Sequence, residues 1–256
     1  MGNDSVMDRN VVLSVKGLKK KYAENNHEVL NGIDLNVYEE DFLCILGPSG
    51  CGKSTLVRCI TGFENYEGVI ECMGTPVKSP GTERSMVFQD FGQLFPWRTV
   101  MGNITYPLKV NGIKDKNERE QIAKEYLEIV NLSAYSKFYP HQLSGGMKQR
   151  VAIARSLALK PKVILMDEPF AALDAMTRNR MQAELLRIKE KTNMTVIFVT
   201  HNIQESIVLG NRIIVMSKSG SIREERKVEL EKPASPATKG FGELWQHLNS
   251  LLNEQA

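Results

Sequence analysis

The chain has 256 residues, 42% of them hydrophobic and 25% charged, with a formal net charge of +3. Such a composition is that of an ordinary globular protein, and the length is ample for a core in one large domain or two closely joined ones. It excludes a membrane-spanning chain, because no apolar run approaches the ~20 residues that a bilayer helix needs, and the mild charge gives no ground for a nucleic-acid partner. The start, Met1-Gly2-Asn3-Asp4-Ser5-Val6, is polar and lacks a signal-peptide core. Val6 stands where a myristoylation signal needs Ser or Thr. Cys44, Cys51, Cys59 and Cys72 form no C-x-x-C pair. Reduced cysteines and a cytoplasmic location are the expectation.

In chain order, residues 11–22 alternate apolar and polar, with Val11, Leu13 and Val15 set against Val12, Ser14 and Lys16, the pattern of a half-buried strand. The strand closes on Lys19-Lys20-Lys21-Tyr22; Tyr22 is either a surface tyrosine or an aromatic platform for a base. Val29 to Val37 reads as a second strand. Phe42-Leu43-Cys44-Ile45-Leu46 is a short apolar run, a buried strand leading into Gly47-Pro48-Ser49-Gly50-Cys51-Gly52-Lys53-Ser54-Thr55. Leu56, Val57 and Ile60 follow at helical spacing. Further strands are read at Gly68 to Met73 and Ser85 to Gln89. Helical patterns then dominate from Thr99 to about Leu159. Strands return at 163–167, 195–200 and 213–216, with a helix carrying Met181, Leu185 and Ile188 between the first two. Residues 231–240 have a linker's composition. Phe241, Leu244, Trp245, Leu248, Leu251 and Leu252 form an amphipathic stripe whose polar face carries Glu243 and Glu254, so a helix packed on its own domain is expected rather than one lying on a membrane.

The stretch from Gly47 to Ser54 matches G-x-x-x-x-G-K-[ST], the phosphate-binding loop pattern. Glycines let the backbone curl so that successive N–H groups converge on phosphate oxygens. Lys53 brings a point charge to the β- and γ-phosphates, the Ser54 hydroxyl is a ligand for Mg²⁺, and the following helix aims its positive end at the same anion. Strand, loop and helix in that order are the context the motif requires. Cys51 lies within this loop, which leads to the expectation that a thiol reagent attacks it and that MgATP slows the attack. Mg²⁺ also needs a carboxylate, and Val163-Ile164-Leu165-Met166-Asp167-Glu168 ends a strand in two. Asp167 is read as the metal ligand at the mouth of the loop, and Glu168 as the base that polarises the attacking water. Leu143-Ser144-Gly145-Gly146-Met147-Lys148-Gln149-Arg150 opens a helix at a natural N-cap, Ser144, with bare glycine amides behind it, a second anion site.

Taken together, these stretches resemble the motifs of ATP-binding-cassette (ABC) ATPases, from about Val11 to Arg223, with Ser144-Gly145-Gly146 in the signature motif. The resemblance implies an α/β fold: a P-loop NTPase core with an antiparallel β subdomain and an inserted α-helical subdomain at about 90–160, the ATPase domain running over 11–230 and a linker with a C-terminal helix over 231–256. It implies that Tyr22 stacks on adenine, that Gln89 senses Mg²⁺ and water and couples to a transmembrane partner, that Ala171-Ala172-Leu173-Asp174 is a dimer-contacting loop, and that His201 is the switch histidine touching the γ-phosphate. Two cassettes packed head to tail are implied, each ATP held between one P-loop and the other copy's signature. Met147, Ala171 and Asn202 depart from the commoner Gln, Ser or Gly, and Asp; hydrolysis is expected to survive all three.

Phe91-Gly92-Gln93-Leu94-Phe95-Pro96-Trp97-Arg98-Thr99-Val100 is either an aromatic surface that receives a helix of a membrane partner or part of the helical insertion's own core. With Asp-Glu-Pro-Phe-x-Ala-Leu-Asp at 167–174, it is similar to importer subunits for nitrate, sulfonate and taurine, and also to those for thiamine precursors. That implies a bacterial-type importer with a separate permease and a periplasmic or lipid-anchored solute-binding protein, and a cassette peripheral on the inner face of the cell membrane. The alternative is the ATPase of an exporter or a lipid-trafficking complex. A GTPase is excluded by the lack of an Asn-Lys-x-Asp motif, a chromosome-organising ATPase by the lack of a long coiled-coil insertion, and a two-cassette translation factor by the single P-loop.

Overall fold

The computed structural model describes residues 10–22, 27–89 and 91–254. The first six residues, read above for targeting signals, lie outside them.

Two sheets form. The antiparallel one is built from β1 (Val11–Tyr22), β2 (His27–Tyr38), β4 (Glu67–Cys72) and the short β5 (Thr75–Pro76), in the order β2-β1-β4-β5. The other contains β3 (Phe42–Leu46), β6 (Arg84–Val87), β7 (Val163–Asp167), β8 (Val196–Thr200), β9 (Arg212–Met216) and β10 (Ile222–Lys227), in the order β10-β9-β3-β8-β7-β6. Its first five strands in chain order pair in parallel, and β10 adds an antiparallel edge that the sequence reading had not marked. The strand foreseen at Ser85 to Gln89 ends earlier, at Val87.

The central strands are apolar throughout because both faces are covered. Phe42, Cys44 and Leu46 of β3 point into one core with Ile164 and Met166 of β7 and Val196 and Phe198 of β8. The intervening Leu43, Ile45, Val163, Leu165, Ile197 and Val199 enter a second core, shared with the antiparallel sheet and the helix α1 (Lys53–Thr61). This is the period-two alternation of a strand buried on both sides.

The helices start where the sequence supplies caps. Thr99 caps α2 (Val100–Val110) by accepting from the Gly102 amide, and Asp115 caps α3 (Lys116–Ile129). Ser144 accepts from the Met147 amide at 3.3 Å and opens α4 (Gly145–Leu157). Asp174 opens α5 (Ala175–Thr192) and Asn202 opens α6 (Ile203–Leu209). The helices α2, α3 and α4 pack together between β6 and β7, as an insertion.

The segment 231–240 is tied down rather than free. The Lys232 ammonium donates to the Ile207 and Val208 carbonyls in the last turn of α6, at 2.7 and 3.0 Å, and burial there pushes its pKa down to about 8. The closing helix α7 (Phe241–Asn253) buries Phe241, Leu244 and Leu248 in the first core, while His247 Nε2 meets Glu224 at 2.8 Å and Arg223 pairs with Glu254. The amphipathic stripe therefore faces its own domain except at Trp245, which is exposed.

Candidate active site

The loop between β3 and α1 closes around its own lysine. Lys53 is only 5% exposed, and its Nζ donates to the Gly47 and Pro48 carbonyls at 2.8 and 2.9 Å. Gly52 sits at φ +97°, and a Cβ there would come within 2.7 Å of the Val29 carbonyl oxygen, so β2 approaches the loop too closely for any other residue. A cavity of about 220 Å³ opens at this point, lined by Val29, Ser49, Gly50, Gly52, Lys53, Ser54, Thr55 and Glu168.

The carboxylates predicted at the end of β7 arrive at the same mouth. Ser54 Oγ donates to Asp167 Oδ1 at 3.0 Å, which joins two of the three expected metal ligands, Gln89 being the third. Burial pushes the Asp167 carboxyl up, and the Ser54 bond pulls against it. Mg²⁺ is a hard cation that takes oxygen donors, and these are of that type; the described residues hold no cluster of three or more His, Cys, Asp or Glu that would bind a metal without phosphate oxygens. Glu168 has φ +44°, rare for a side chain of this kind, and its amide bonds to the Val199 carbonyl at 3.0 Å. From β8 comes His201, whose Nδ1 lies 2.9 Å from Glu168 Oε2. Parallel pairing of β7 with β8 brings the Glu168 and His201 turns side by side.

Other residues read from the sequence lie apart. Gln89 is exposed, two residues beyond β6, and among the described residues no hydrogen bond joins it to Ser54, Asp167 or Glu168. Tyr22 is half-buried at the end of β1, paired in register with His27, two residues from the Val29 that lines the cavity; Lys20 Nζ lies 4.8 Å from its ring centroid. Ser144 and Gly145 open α4 in the helical insertion, and Gly146 packs on α5, where a Cβ would meet Met181 Sδ at 3.4 Å. None of the three lines the cavity at the phosphate loop.

Cys51 corrects an expectation. Its thiol is 1% exposed, lies 4.0 Å from Lys53 Nζ, and is pushed up in pKa by burial. The side chain supports the loop from beneath, so a thiol reagent does not meet it beside bound phosphate. Only its backbone remains available for phosphate, and sequence spacing cannot tell the two faces of a loop apart.

Sequence reasoning also missed what surrounds the site: Thr200, Arg178 and Glu205 beside His201, and the buried Asn103 behind Phe95. Asn103 Oδ1 accepts from the Phe95 amide at 2.8 Å, and its Nδ2 reaches the Phe95, Arg98 and Thr99 carbonyls. One amide thus fixes the loop that presents Trp97, which is 71% exposed and cannot belong to the insertion's core. Phe95 is intermediate, edge-on to Tyr106 at 5.2 Å and 5.7 Å from Trp97. Phe95 and Tyr106 line a groove of about 390 Å³ with Gln93, Val110 and Arg155. Arg155 reaches there from α4 and donates to the Gln93 carbonyl at 2.8 Å.

A family model described as ABC transporter matches residues 30–171. An uncharacterized ABC transporter ATP-binding protein of Methanocaldococcus jannaschii is 47% identical over 96% of the chain and 92% of its own length. The aliphatic sulfonates import ATP-binding protein SsuB of Bacillus cereus is 42% identical over 91% and 93%, and the nitrate import ATP-binding protein NrtD of Synechocystis is 45% identical over 78% and 76%. Among solved structures, cbiO1 of Clostridium perfringens, part of an ABC transporter complex, superposes with a TM-score of 0.78 at 28% identity, over 86% of this chain and 90% of that one. A dimeric ATP-binding cassette in a post-hydrolysis state, bound to ADP and Pi, gives 0.71 at 32% identity over 85% and 99%.

Proposed function

The chain belongs to the ABC transporter family as an ATP-binding ATPase subunit, and from that premise we propose that it powers a bacterial-type importer for a small solute of the nitrate, sulfonate or taurine class. One arrangement carries this reading: a phosphate loop facing Asp167, Glu168 and His201, in a chain that also presents an exposed aromatic groove on its helical insertion. The first does the chemistry, and the second has the character of a surface that receives an apolar helix of another subunit.

The residues divide the work as follows. Backbone amides of the loop from Gly47 to Thr55, Pro48 apart, together with Lys53, hold the phosphates, Tyr22 takes the adenine, and Glu168 draws a proton from the attacking water while His201 contacts the γ-phosphate. Ser54 and Asp167 would hold Mg²⁺, with Gln89 closing on it; when bound, the ion neutralises charge on the phosphate oxygens. A second copy supplies Ser144, Gly145 and Gly146 to the open side of the nucleotide. The 11–230 region is the catalytic unit, with the closing helix docked on it. Among the described residues no helix is long and apolar enough to cross a membrane, so translocation falls to a separate permease, fed by a solute-binding protein. The cassette sits peripherally on the inner face of the membrane.

The test is recovery of the partner. The tagged chain, purified in detergent from membranes of its native host, is expected to retain a polytopic membrane protein. Trp97→Asp is expected to lower that recovery roughly tenfold or more, as for a central aromatic of an interface, while ATP binding by the cassette stays within about twofold, since no contact joins Trp97 to the phosphate loop. Equal recovery by the variant would remove the groove as the docking surface. Recovery of no membrane protein would remove the importer reading.

A further inference from the structure

Three groups beneath the Glu168–His201 pair have no part in the chemistry assigned above. Glu205, in the first turn of α6, is 5% exposed. Its Oε2 accepts from Thr200 Oγ1 at 2.6 Å, and its Oε1 faces Arg178 Nε at 3.6 Å. Arg178 stands in the first turn of α5 and donates from Nη2 to the Leu173 carbonyl at 3.1 Å. Thr200 Oγ1 also accepts from the Asn202 amide at 3.0 Å, and Asn202 Oδ1 accepts from the Glu205 amide at 3.2 Å.

The contacts therefore run unbroken from Leu173, on the loop that begins at Glu168, to Thr200 and Asn202, the residues on either side of His201. Besides the backbone bond from the Glu168 amide to Val199, the direct side-chain bridge among the described residues is the His201–Glu168 contact, and that histidine side chain is 56% exposed. An exposed contact of this sort holds little by itself. Glu168 also occupies a backbone conformation that persists only where its surroundings over-determine it.

A merely structural link between α5 and α6 has no need of ions. Burying the Glu205 carboxylate against a part-buried guanidinium is costly, and a well-packed apolar pair commonly holds as well or better. Nor is the pair optimised for holding: Arg178 Nε is buried without a hydrogen bond, its ion pair stopping at 3.6 Å. What the ions provide is direction, since each also grips a specific atom of a site-bearing turn.

We propose that Arg178 and Glu205 are positioning residues, a part-buried clamp that locks the loop bearing Glu168 to the turn bearing His201 so that the two side chains approach the nucleotide as one unit. The clamp rests on the assignment of Glu168 and His201 to ATP hydrolysis. It also gives the exposed Ala171, Ala172 and Asp174 a lever on the site, because whatever displaces that loop pulls on Leu173.

The experiment uses the full chain, with phosphate release measured against MgATP concentration and thermal melting measured in parallel. Arg178→Met and Glu205→Leu are each expected to lower kcat by on the order of 10², the usual effect of displacing a catalytic group by about an ångström, with KM within about threefold, since neither residue touches the phosphate loop. Each single change also lowers Tm, Arg178→Met the more, because it strands the buried Glu205 carboxylate while Arg178 is part-exposed. The double variant Arg178→Met/Glu205→Leu is expected to regain the melting temperature but not the rate. A double variant that regains both would overturn the proposal, because the pair would then be scaffold only. Should the double variant fail to fold, Glu205→Gln keeps the shape and the Thr200 bond while loosening Arg178. A roughly tenfold fall in its kcat at unchanged KM supports the clamp, and the parent rate overturns it. Glu168→Gln is run alongside: if it hydrolyses normally, the catalytic assignment has failed; if it is inactive while the clamp variants are normal, the clamp alone has failed.

Discussion

Glu168→Gln is expected to bind MgATP, to hydrolyse it about 10² to 10⁴ times more slowly, and to accumulate as an ATP-bound dimer. The phosphate loop, Ser54 and Asp167 are untouched, and the Ser54–Asp167 contact at 3.0 Å does not depend on Glu168, so binding persists. The amide cannot take a proton from water, which removes the base. It can still occupy the space opposite His201 Nδ1, now 2.9 Å from the carboxylate, so the fold of the two turns is retained. Loss of one negative charge beside the γ-phosphate also relieves repulsion in the closed state. Phosphate release and light scattering after size exclusion measure both effects. A variant that turns over at the parent rate, or stays monomeric at saturating MgATP, would take the catalytic role from Glu168.

Lys53→Ala is expected to weaken nucleotide binding by on the order of 10² or more, the loss of charge-assisted bonds to phosphate. The structure adds a cost that the motif alone does not reveal. Lys53 is buried, and its ammonium satisfies the Gly47 and Pro48 carbonyls. Alanine leaves both carbonyls without that donor, so the empty loop is destabilised by about 1–3 kcal/mol and melts a few degrees lower. Isothermal titration with ATP, set beside a melting curve of the unliganded chain, separates the two consequences. Unaltered affinity would sink the phosphate-loop assignment.

What the sequence made legible was local. The run Phe42–Leu46, the loop after it and the N-cap Ser144 are each written in consecutive residues, and the structure places them as read. The two-sided burial of β3, β7 and β8 follows from their unbroken apolar character. What stayed hidden depends on distance along the chain or on direction in space. β10 is too charged to announce itself as a strand and is held by its register with β9 and by α7. The Arg178–Glu205 contact joins residues on two helices separated by β8, and no spacing rule foretells it. The inward turn of the Cys51 thiol, the positive φ of Glu168 and the exposure of Trp97 beside a half-buried Phe95 are facts of orientation, decided by packing rather than by residue type.

Lys53 and Ser144 belong to different parts of the molecule, and only the first lines the nucleotide cavity. When two copies share their sites across a twofold axis, that separation becomes a rule of inheritance. A chain with Lys53→Ala is defective in the half it keeps; a chain with Ser144→Arg is defective in the half it lends. Each variant alone forms only damaged sites. Mixed in equal amounts, about half of the dimers pair one with the other, and in those dimers one site collects both lesions while the other has neither. Two inactive proteins are therefore expected to regain phosphate release on mixing, and a mixture as inert as its components would mean that the sites are not shared in this way.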